Sequence, residues 1–327
     1  MKKIKVSVIG SGHLGSIHTR LWKSTPNSEL IGIFDTDVER ANKVANENVI
    51  NVFDTIDEAV QSSDAVTISA PTTFHYEIAE KCIECGVHCL IEKPITSTYQ
   101  EAKKIIAQAK NKNLVIQVGH VERFNPALLA IKGYKLNPMF IEAHRLSQFK
   151  PRAIDVSVIL DLMIHDIDIM LWLIKSKVEK IDANGVAVLT DTPDIANARI
   201  KFENGAVANL TASRISANPM RKLRLFQSNA YISIDFGNQD VEVFRLLEED
   251  ESAEGNAIPA NMLGTLEAGL KNKKIVFEKP VVPGINAIAE EQKAFIEAII
   301  NSSPAAVSAE EAAEALRIAE LISEQIS

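Results

Sequence analysis

Cysteine is scarce in this chain, with three among 327 residues: Cys82, Cys85 and Cys89. Their C-x-x-C-x-x-x-C spacing lacks a fourth thiol, and Gly86 reads as a helix stop that places Cys89 in the following strand. This argues against a zinc or cluster site, and the three read as small apolar packing residues in a reducing compartment, with no metal expected. Lysine and arginine form no long run, and acidic residues outnumber them 43 to 35, for a formal net charge of −8. That balance argues against nucleic acid or an anionic membrane surface as partner and leaves small molecules. The longest apolar run, Val156 to Ile174, has membrane length but carries Asp161, His165, Asp166 and Asp168 in its middle. Those groups are very costly in lipid, so a helix buried in protein is expected. The opening MKKIKVSVIG reaches a glycine too soon for a signal peptide, and a cytoplasmic protein is expected. Internal repeats, low-complexity segments and long linkers are absent as well.

What is present is the composition of a soluble globular protein of about two domains, 46% hydrophobic and 24% charged. From Met1 to about His120, short β-branched runs such as KIKVSVIG, ELIGIFD, DAVTISAP, VHCLIEK and NLVIQVGH alternate with amphipathic stretches such as DVERANKVANE and TYQEAKKIIAQAKNK. This alternation predicts right-handed βαβ units and a doubly wound parallel sheet of Rossmann type with helices on both faces, over 1–121. Beyond RFNPALLAIKG the pattern changes. Runs such as EKIDANGVAVLTD, IANARIKFENGAVANLTASRIS and RKLRLFQSNAYISIDF, joined by Asn-Gly or polar turns, predict an α+β second domain over 122–327 with a mostly antiparallel open sheet. Two helices close the chain, the second opened by Ser308 with Glu311 at capping-box spacing.

The first chemical motif is GSGHLG: Gly10, Gly12, His13, Leu14 and Gly15 in G-x-G-x-x-G spacing. It follows the first strand directly and opens a helix, so backbone N–H groups and the helix N-terminus can hold a pyrophosphate. Asp35 ends the second strand twenty residues beyond Gly15, where its carboxylate would accept hydrogen bonds from the adenosine ribose. Asp35 is followed by Thr36 and Asp37, so a 2′-phosphate would meet negative charge; NAD is expected over NADP, with Arg40 the nearest cation. The second motif lies in the buried helix. At about 100° per residue, Asp161, His165, Asp168 and Trp172 share one narrow stripe while Asp166 points elsewhere. A satisfied buried network could explain such a stripe, but the cost of desolvating unpaired carboxylates favours one that faces a wet cleft or a substrate.

The order of GSGHLG, PTTFHYEIAEKCIECGVHCLIEKPIT, GHVERFNPA and LDLMIHDIDIMLWL resembles the glucose-fructose oxidoreductase, inositol dehydrogenase and MocA family of sugar oxidoreductases, over nearly the whole chain. The resemblance implies that Lys93 reaches between nicotinamide and substrate, with Glu92 and Pro94 beside it in the cofactor cleft. It implies that His165 serves as acid or base and that Asp161 binds or orients the substrate. The loop with Ala70, Pro71, Thr72 and His75 would pass under the cofactor. Members with GHVERFNPA and DVSVILDLMIHDID look more like those acting on nucleotide sugars, UDP-sugars among them, whereas the absence of a glycine pair before the D-x-x-x-H motif and the presence of His120 separate this chain from the inositol and glucose enzymes. Family members commonly form dimers or tetramers, so a homodimer or homotetramer is expected.

These assignments suit oxidation of a secondary alcohol. An imidazole with an ordinary pKa of about 6.5 can move a proton at neutral pH, and a lysine at a strand end beside the crevice can stabilise developing alkoxide charge. Arg123, Asn125, Arg145 and Arg152 could hold a sugar or phosphate, although each could equally be an exposed charge or a turn residue. A non-catalytic, NAD-dependent sugar-sensing or regulatory protein, a hydrolase or lyase that uses bound NAD as a redox relay, and a reductase of a non-sugar carbonyl or bilin-like pigment are the alternatives. A second Glu-Lys-Pro triplet occurs at Glu278, Lys279 and Pro280, far from any cofactor motif, and Lys279 reads as a solvated strand-end charge.

Overall fold

In a computed structural model, residues 3–149, 156–246, 260–268 and 273–326 are described. Two compact units divide the chain: Met1–Phe124 with Asn286–Arg317, and Asn125–Ile285 with Ile318–Ser327. The cut near Phe124 lies close to the expected one at 121, but segment 286–317 belongs to the first unit rather than the second.

The first unit is built on six strands, β1 (Ile4–Ile9), β2 (Ser28–Phe34), β3 (Asn51–Val52), β4 (Ala65–Ile68), β5 (His88–Glu92) and β6 (Ile116–Gly119). All pair in parallel, in the order β3-β2-β1-β4-β5-β6. Helices α1 (His13–Trp22), α2 (Val38–Asn48), α3 (Ile56–Gln61), α4 (His75–Glu84) and α5 (Tyr99–Asn111) link successive strands. Covered on both faces, β4 is buried at every position, which is why AVTI shows no polar–apolar alternation; its one hydroxyl, on Thr67, accepts from Trp22 Nε1 at 2.9 Å. Local chemistry sets the helix starts: the Asp37 carboxylate accepts from the Arg40 amide at the start of α2, and Thr98 with Glu101 forms a capping box on α5. Two short elements, β3 and α3, occupy a stretch whose apolar pattern is too brief to carry a period.

The second unit centres on a nine-stranded sheet. Its strands are β7 (Phe140–Leu146), β8 (Val178–Val186), β9 (Ile195–Phe202), β10 (Val207–Ser213), β11 (Met220–Gln227), β12 (Ala230–Asp235), β13 (Asp240–Leu246), β14 (Ala260–Ala268) and β15 (Lys273–Pro280). They are ordered β14-β15-β13-β12-β11-β7-β10-β9-β8, and every pair is antiparallel except β7 with β10. Strand β7 alternates half-buried and buried residues, and β9 alternates exposed and buried ones, the signature of a sheet with one covered face. The turn between β9 and β10 carries Asn204-Gly205 with Gly205 at φ +85°, as the Asn-Gly rule predicts. The other Asn-Gly pair does not turn. Asn184-Gly185 lies inside β8, where an added Cβ on Gly185 would stand 2.6 Å from Ile326 Cγ2; the missing side chain admits a neighbour instead of a bend.

Helix α6 (Pro126–Leu129) is short, and the expected single helix over 156–174 is two elements: a π-helical turn, Ile159–Met163, followed by α7 (Ile164–Ile174). Two more helices, α8 (Ala287–Asn301) and α9 (Ala309–Ile326), complete the chain. Phe295 and Ile296 of α8 join Val6, Val8, Trp22, Ile33 and Leu90 in one buried cluster, with the Trp22 and Phe295 rings edge to face at 6.4 Å. That packing draws the late segment into the first unit. The Ser308–Glu311 capping box forms as expected, each residue bonding the other's backbone amide.

Candidate active site

In the first unit the carboxyl ends of the parallel strands lie along one edge, and the strand order reverses between β1 and β4, the place where open α/β sheets bind ligands. Residues of the cofactor motif collect there. Gly10 has φ +98°, and a Cβ on it would sit 2.7 Å from Ala70 N. A Cβ on Gly15 would fall 1.8 Å from the Gly10 carbonyl oxygen, so this glycine lets α1 pack against β1. Gly12 differs: a Cβ there would meet nothing within 4 Å, and it precedes α1 with no side chain capping the helix. Bare backbone and open helix N–H groups are the surroundings a pyrophosphate requires, so the residues present fit a dinucleotide. His13 and Leu14 stand exposed on the first turn.

Asp35 is buried at the end of β2. Its Oδ2 accepts from the Ser11 amide (2.6 Å) and the Ser11 hydroxyl (2.7 Å), and its Oδ1 from the Asp37 amide (2.9 Å) and Arg40 Nη2 (2.8 Å). Burial pushes its pKa up, but these donors outweigh burial and hold the carboxyl at about 2. Arg40 therefore lies folded onto Asp35, its Nη1 3.3 Å from Asp37.

The Ala70-Pro71-Thr72 loop follows β4 and leads into α4. His75, 1% exposed, has its Nε2 2.9 Å from the Ala70 carbonyl and its Nδ1 2.9 Å from the Pro94 carbonyl. Burial lowers its pKa, with the two carbonyls opposing. The imidazole thus clamps the loop after β4 to the Glu92-Lys93-Pro94 segment after β5, whose Lys93–Pro94 bond is cis. Lys93 is half-buried at the carboxyl end of β5. Glu92 turns back into the unit, with Oε1 2.7 Å from His18 Nε2 on α1. A Cβ on Gly119 of β6 would stand 2.9 Å from Glu92 Oε2, so that glycine makes room for the carboxylate.

In the second unit Asp161 sits in the π-helical turn and His165 in the first turn of α7, both half-buried. π-Turns recur at functional sites because they re-aim the side chains they carry. The turn also takes Asp161 out of the uniform 100° spacing, which His165, Asp168 and Trp172 keep within α7. Asp168, expected beside His165, is 1% exposed, while Trp172 remains half-buried. Asp166 is buried in a two-pronged pair with Arg145, whose Nε and Nη2 each lie 2.9 Å from a carboxylate oxygen. That pair commits the Arg145 guanidinium to α7. In the first unit, Arg123 is likewise buried and paired to Glu311 at 3.0 Å. Asn125 caps α6 by accepting from the Ala127 amide at 3.0 Å, and Arg152 lies outside the described residues.

A support that no sequence motif announced is the loop around Asp194. Its Oδ2 accepts from the amides of Val188 (2.8 Å), Leu189 (2.6 Å) and Thr190 (3.1 Å), and the backbone amides overcome burial to hold the carboxyl at about 2. The Asp194 carbonyl accepts from the Arg214 amide, Arg214 donates to the Val156 carbonyl, and the Val158 amide donates to the Pro193 carbonyl. The start of the segment that carries Asp161 and His165 is thereby held. A signal existed in TDTPD, where an acid follows Thr and Pro in a turn.

A doubly wound parallel sheet with a glycine turn opening α1 and an acid ending β2 defines a dinucleotide-binding fold of the kind NAD-dependent oxidoreductases use. Residues 4–120 match the model of the GFO_IDH_MocA oxidoreductase family with an NAD-binding Rossmann fold, and residues 128–233 match the GFO/IDH/MocA C-terminal domain. The chain is 41% identical over 245 residues to UDP-N-acetylglucosamine 3-dehydrogenase of Acidithiobacillus ferrooxidans, covering 75% of this chain and 78% of that protein. A solved structure of the same enzyme superposes with TM-score 0.86 and 34% identity, over 100% of this chain and 98% of that one. The scyllo-inositol 2-dehydrogenase (NAD(+)) of Bacillus subtilis is 28% identical over 65% of this chain and 68% of its own. The protein belongs to the glucose-fructose oxidoreductase, inositol dehydrogenase and MocA family. Relatives of this kind favour an enzyme over the non-catalytic alternative.

Proposed function

We propose that the protein oxidises the C3 hydroxyl of a UDP-N-acetylhexosamine, UDP-N-acetylglucosamine above all, with NAD as acceptor. The observation that carries this reading is the 41% identity with a UDP-N-acetylglucosamine 3-dehydrogenase over three quarters of the chain. A bound nicotinamide would supply the hydride acceptor. The remaining work belongs to the chain's own groups. His165 removes the hydroxyl proton as the carbon–hydrogen bond breaks, and returns it in the reverse direction. Lys93 donates a hydrogen bond to the reacting oxygen and stabilises the charge that develops on it. Asp161 orients the sugar, and Asp35 accepts from the adenosine ribose once Arg40 swings off it.

A homo-oligomer is the second part of the reading. Phe140, Phe226, Tyr231, Phe244 and Phe277 form an aromatic ladder across five strands of the second-unit sheet, with successive centroids 4.3 to 5.8 Å apart. Phe226 is 37% exposed, and a face of this kind suits burial against another copy. Light scattering on the purified protein measures that assembly. Among the described residues no helix is long and apolar enough to cross a membrane.

The residue roles are tested by Lys93→Ala and His165→Ala. Each is expected to lower turnover of the UDP sugar by about 100-fold or more while NAD binding stays near wild type. Near-normal turnover in either variant would remove that residue's role.

A further inference from the structure

Behind the Lys93 strand lies a closed polar cluster that the proposed reaction does not use. Glu291 on α8 is 0% exposed, and neither of its carboxyl oxygens has a hydrogen-bond partner. Donor atoms of His18, Glu92 and Glu291 all lie within 4.8 Å of one another. The surrounding bonds fix which atoms carry protons. Gln292 Nε2 stands 3.1 Å from the His18 carbonyl oxygen, which only a donor tolerates, so the amide nitrogen, not the oxygen, faces the ring. The same nitrogen lies 3.1 Å from His18 Nδ1, making Nδ1 the acceptor. The ring proton therefore sits on Nε2 and is donated to Glu92 Oε1 at 2.7 Å. Gln292 Oε1 is oriented from its other side by the Thr25 hydroxyl at 2.9 Å.

Glu92 thus receives one strong donor, while Glu291, close by, receives none. Two ionised carboxylates this near each other inside the unit would repel, and a bare buried anion is the costlier of the two. Burial, then the charge of Glu92, push Glu291 well above the usual carboxyl range. Burial opposes ionisation of Glu92 too, but His18, Lys93 and His75 more than offset it. Among the described residues, those three and Glu291 are the groups whose charge bears most on Glu92, from α1, the end of β5, α4 and α8; Gln117 of β6 donates to the Glu291 backbone carbonyl at 2.8 Å.

We propose that Glu291 is a positioning residue for the hydride-transfer site: a protonated carboxyl that shares its one proton with Glu92 and so keeps Glu92 ionised at the root of Lys93. The separation suits a direct bond after a small side-chain rotation, or one bridging water. Glu92 then supplies the anion beside Lys93, and Lys93 keeps its charge for the reacting oxygen. This rests on the assignment of Lys93 to the chemistry made above.

Two measurements test it, both independent of any substrate. In infrared spectra of the NADH complex at neutral pH, wild type is expected to show the carbonyl stretch of a buried protonated acid, absent from Glu291→Gln. No such band, or one equivalent of bound divalent metal lost with Glu291→Gln, overturns the proposal. The second is the pH at which Glu92 itself takes up a proton, followed in the same NADH complex by the infrared carboxylate band that Glu92→Gln removes. Glu291→Leu deletes the donor to Glu92 and is expected to move that titration to higher pH by about 1 to 2 units, with Glu291→Gln returning it towards wild type. A move to lower pH would mean that Glu291 is an anion, and no move that it is uncoupled; either overturns the proposal. Absence of turnover in wild type would instead sink the substrate reading, leaving the infrared results to decide this one.

Discussion

Asp35 and Asp194 are buried carboxylates held ionised against burial, Asp35 by Arg40 first and then by the Ser11 and Asp37 donors, and Asp194 by three backbone amides and the Thr190 hydroxyl, with Arg214 Nε 3.7 Å away. Asp194 is 0% exposed, and its folded-state pKa is depressed from 3.8 to about 2. The unfolded chain therefore binds the proton first. The stability Asp194 contributes is present above its unfolded value and is lost as pH falls through that value towards about 2. Asp194→Asn removes the charge the three amides stabilise and, with its oxygen kept towards them, sets an NH2 group against the Thr190 hydroxyl and Arg214, and is expected to cost about 2 to 4 kcal/mol in urea unfolding at pH 7. The deficit should shrink towards acid pH, and a pH-independent deficit would contradict the electrostatic origin. Legibility at this scale follows chain distance. Gly10, Gly12, Gly15 and Asp35 were readable because their chemistry is local to one βαβ unit. Glu291, Gln292 and His18 were not, since 274 residues separate the last two. The second Glu-Lys-Pro triplet is instructive. Lys279 pairs with Asp240 at the surface, as a strand-end charge should, while Glu278 is buried and takes Arg245 and Tyr134. In both triplets the glutamate turns inward.

Among the elements, strand–turn–helix at β1 and α1 has the least tolerance. An added Cβ at Gly15 would stand 1.8 Å from the Gly10 oxygen, a backbone atom that cannot step aside without moving β1. Gly15→Ala is therefore expected to weaken NAD binding by about tenfold or more in a calorimetric titration and to lower the melting temperature. Binding at wild-type strength would show that the loop relaxes. The helix over 156–174 was readable as buried because its apolar residues surround it. Its π-turn was not, since no local residue type marks an extra residue per turn, and that turn changes the spacing of Asp161 against His165, Asp168 and Trp172, which stay together in α7. Asn184-Gly185 failed as a turn for a related reason: the constraint comes from Ile326, distant in the chain.

At the scale of the whole molecule, alternating strands and helices made the parallel sheet legible, and alternation of period two did the same for the nine-stranded sheet. The return of 286–317 to the first unit was not legible, because an amphipathic helix shows which face is buried but not against what. The central claim concerns what the assembled protein does, and one measurement tests it most directly. Purified protein is incubated with NAD and, in separate reactions, UDP-N-acetylglucosamine, UDP-glucose and scyllo-inositol, with NADH followed by absorbance and the sugar product by mass spectrometry. NADH formation with UDP-N-acetylglucosamine, matched mole for mole by a 3-keto nucleotide sugar two hydrogens lighter, is expected. NAD binding without NADH formation on that sugar, or faster turnover of scyllo-inositol, would contradict it.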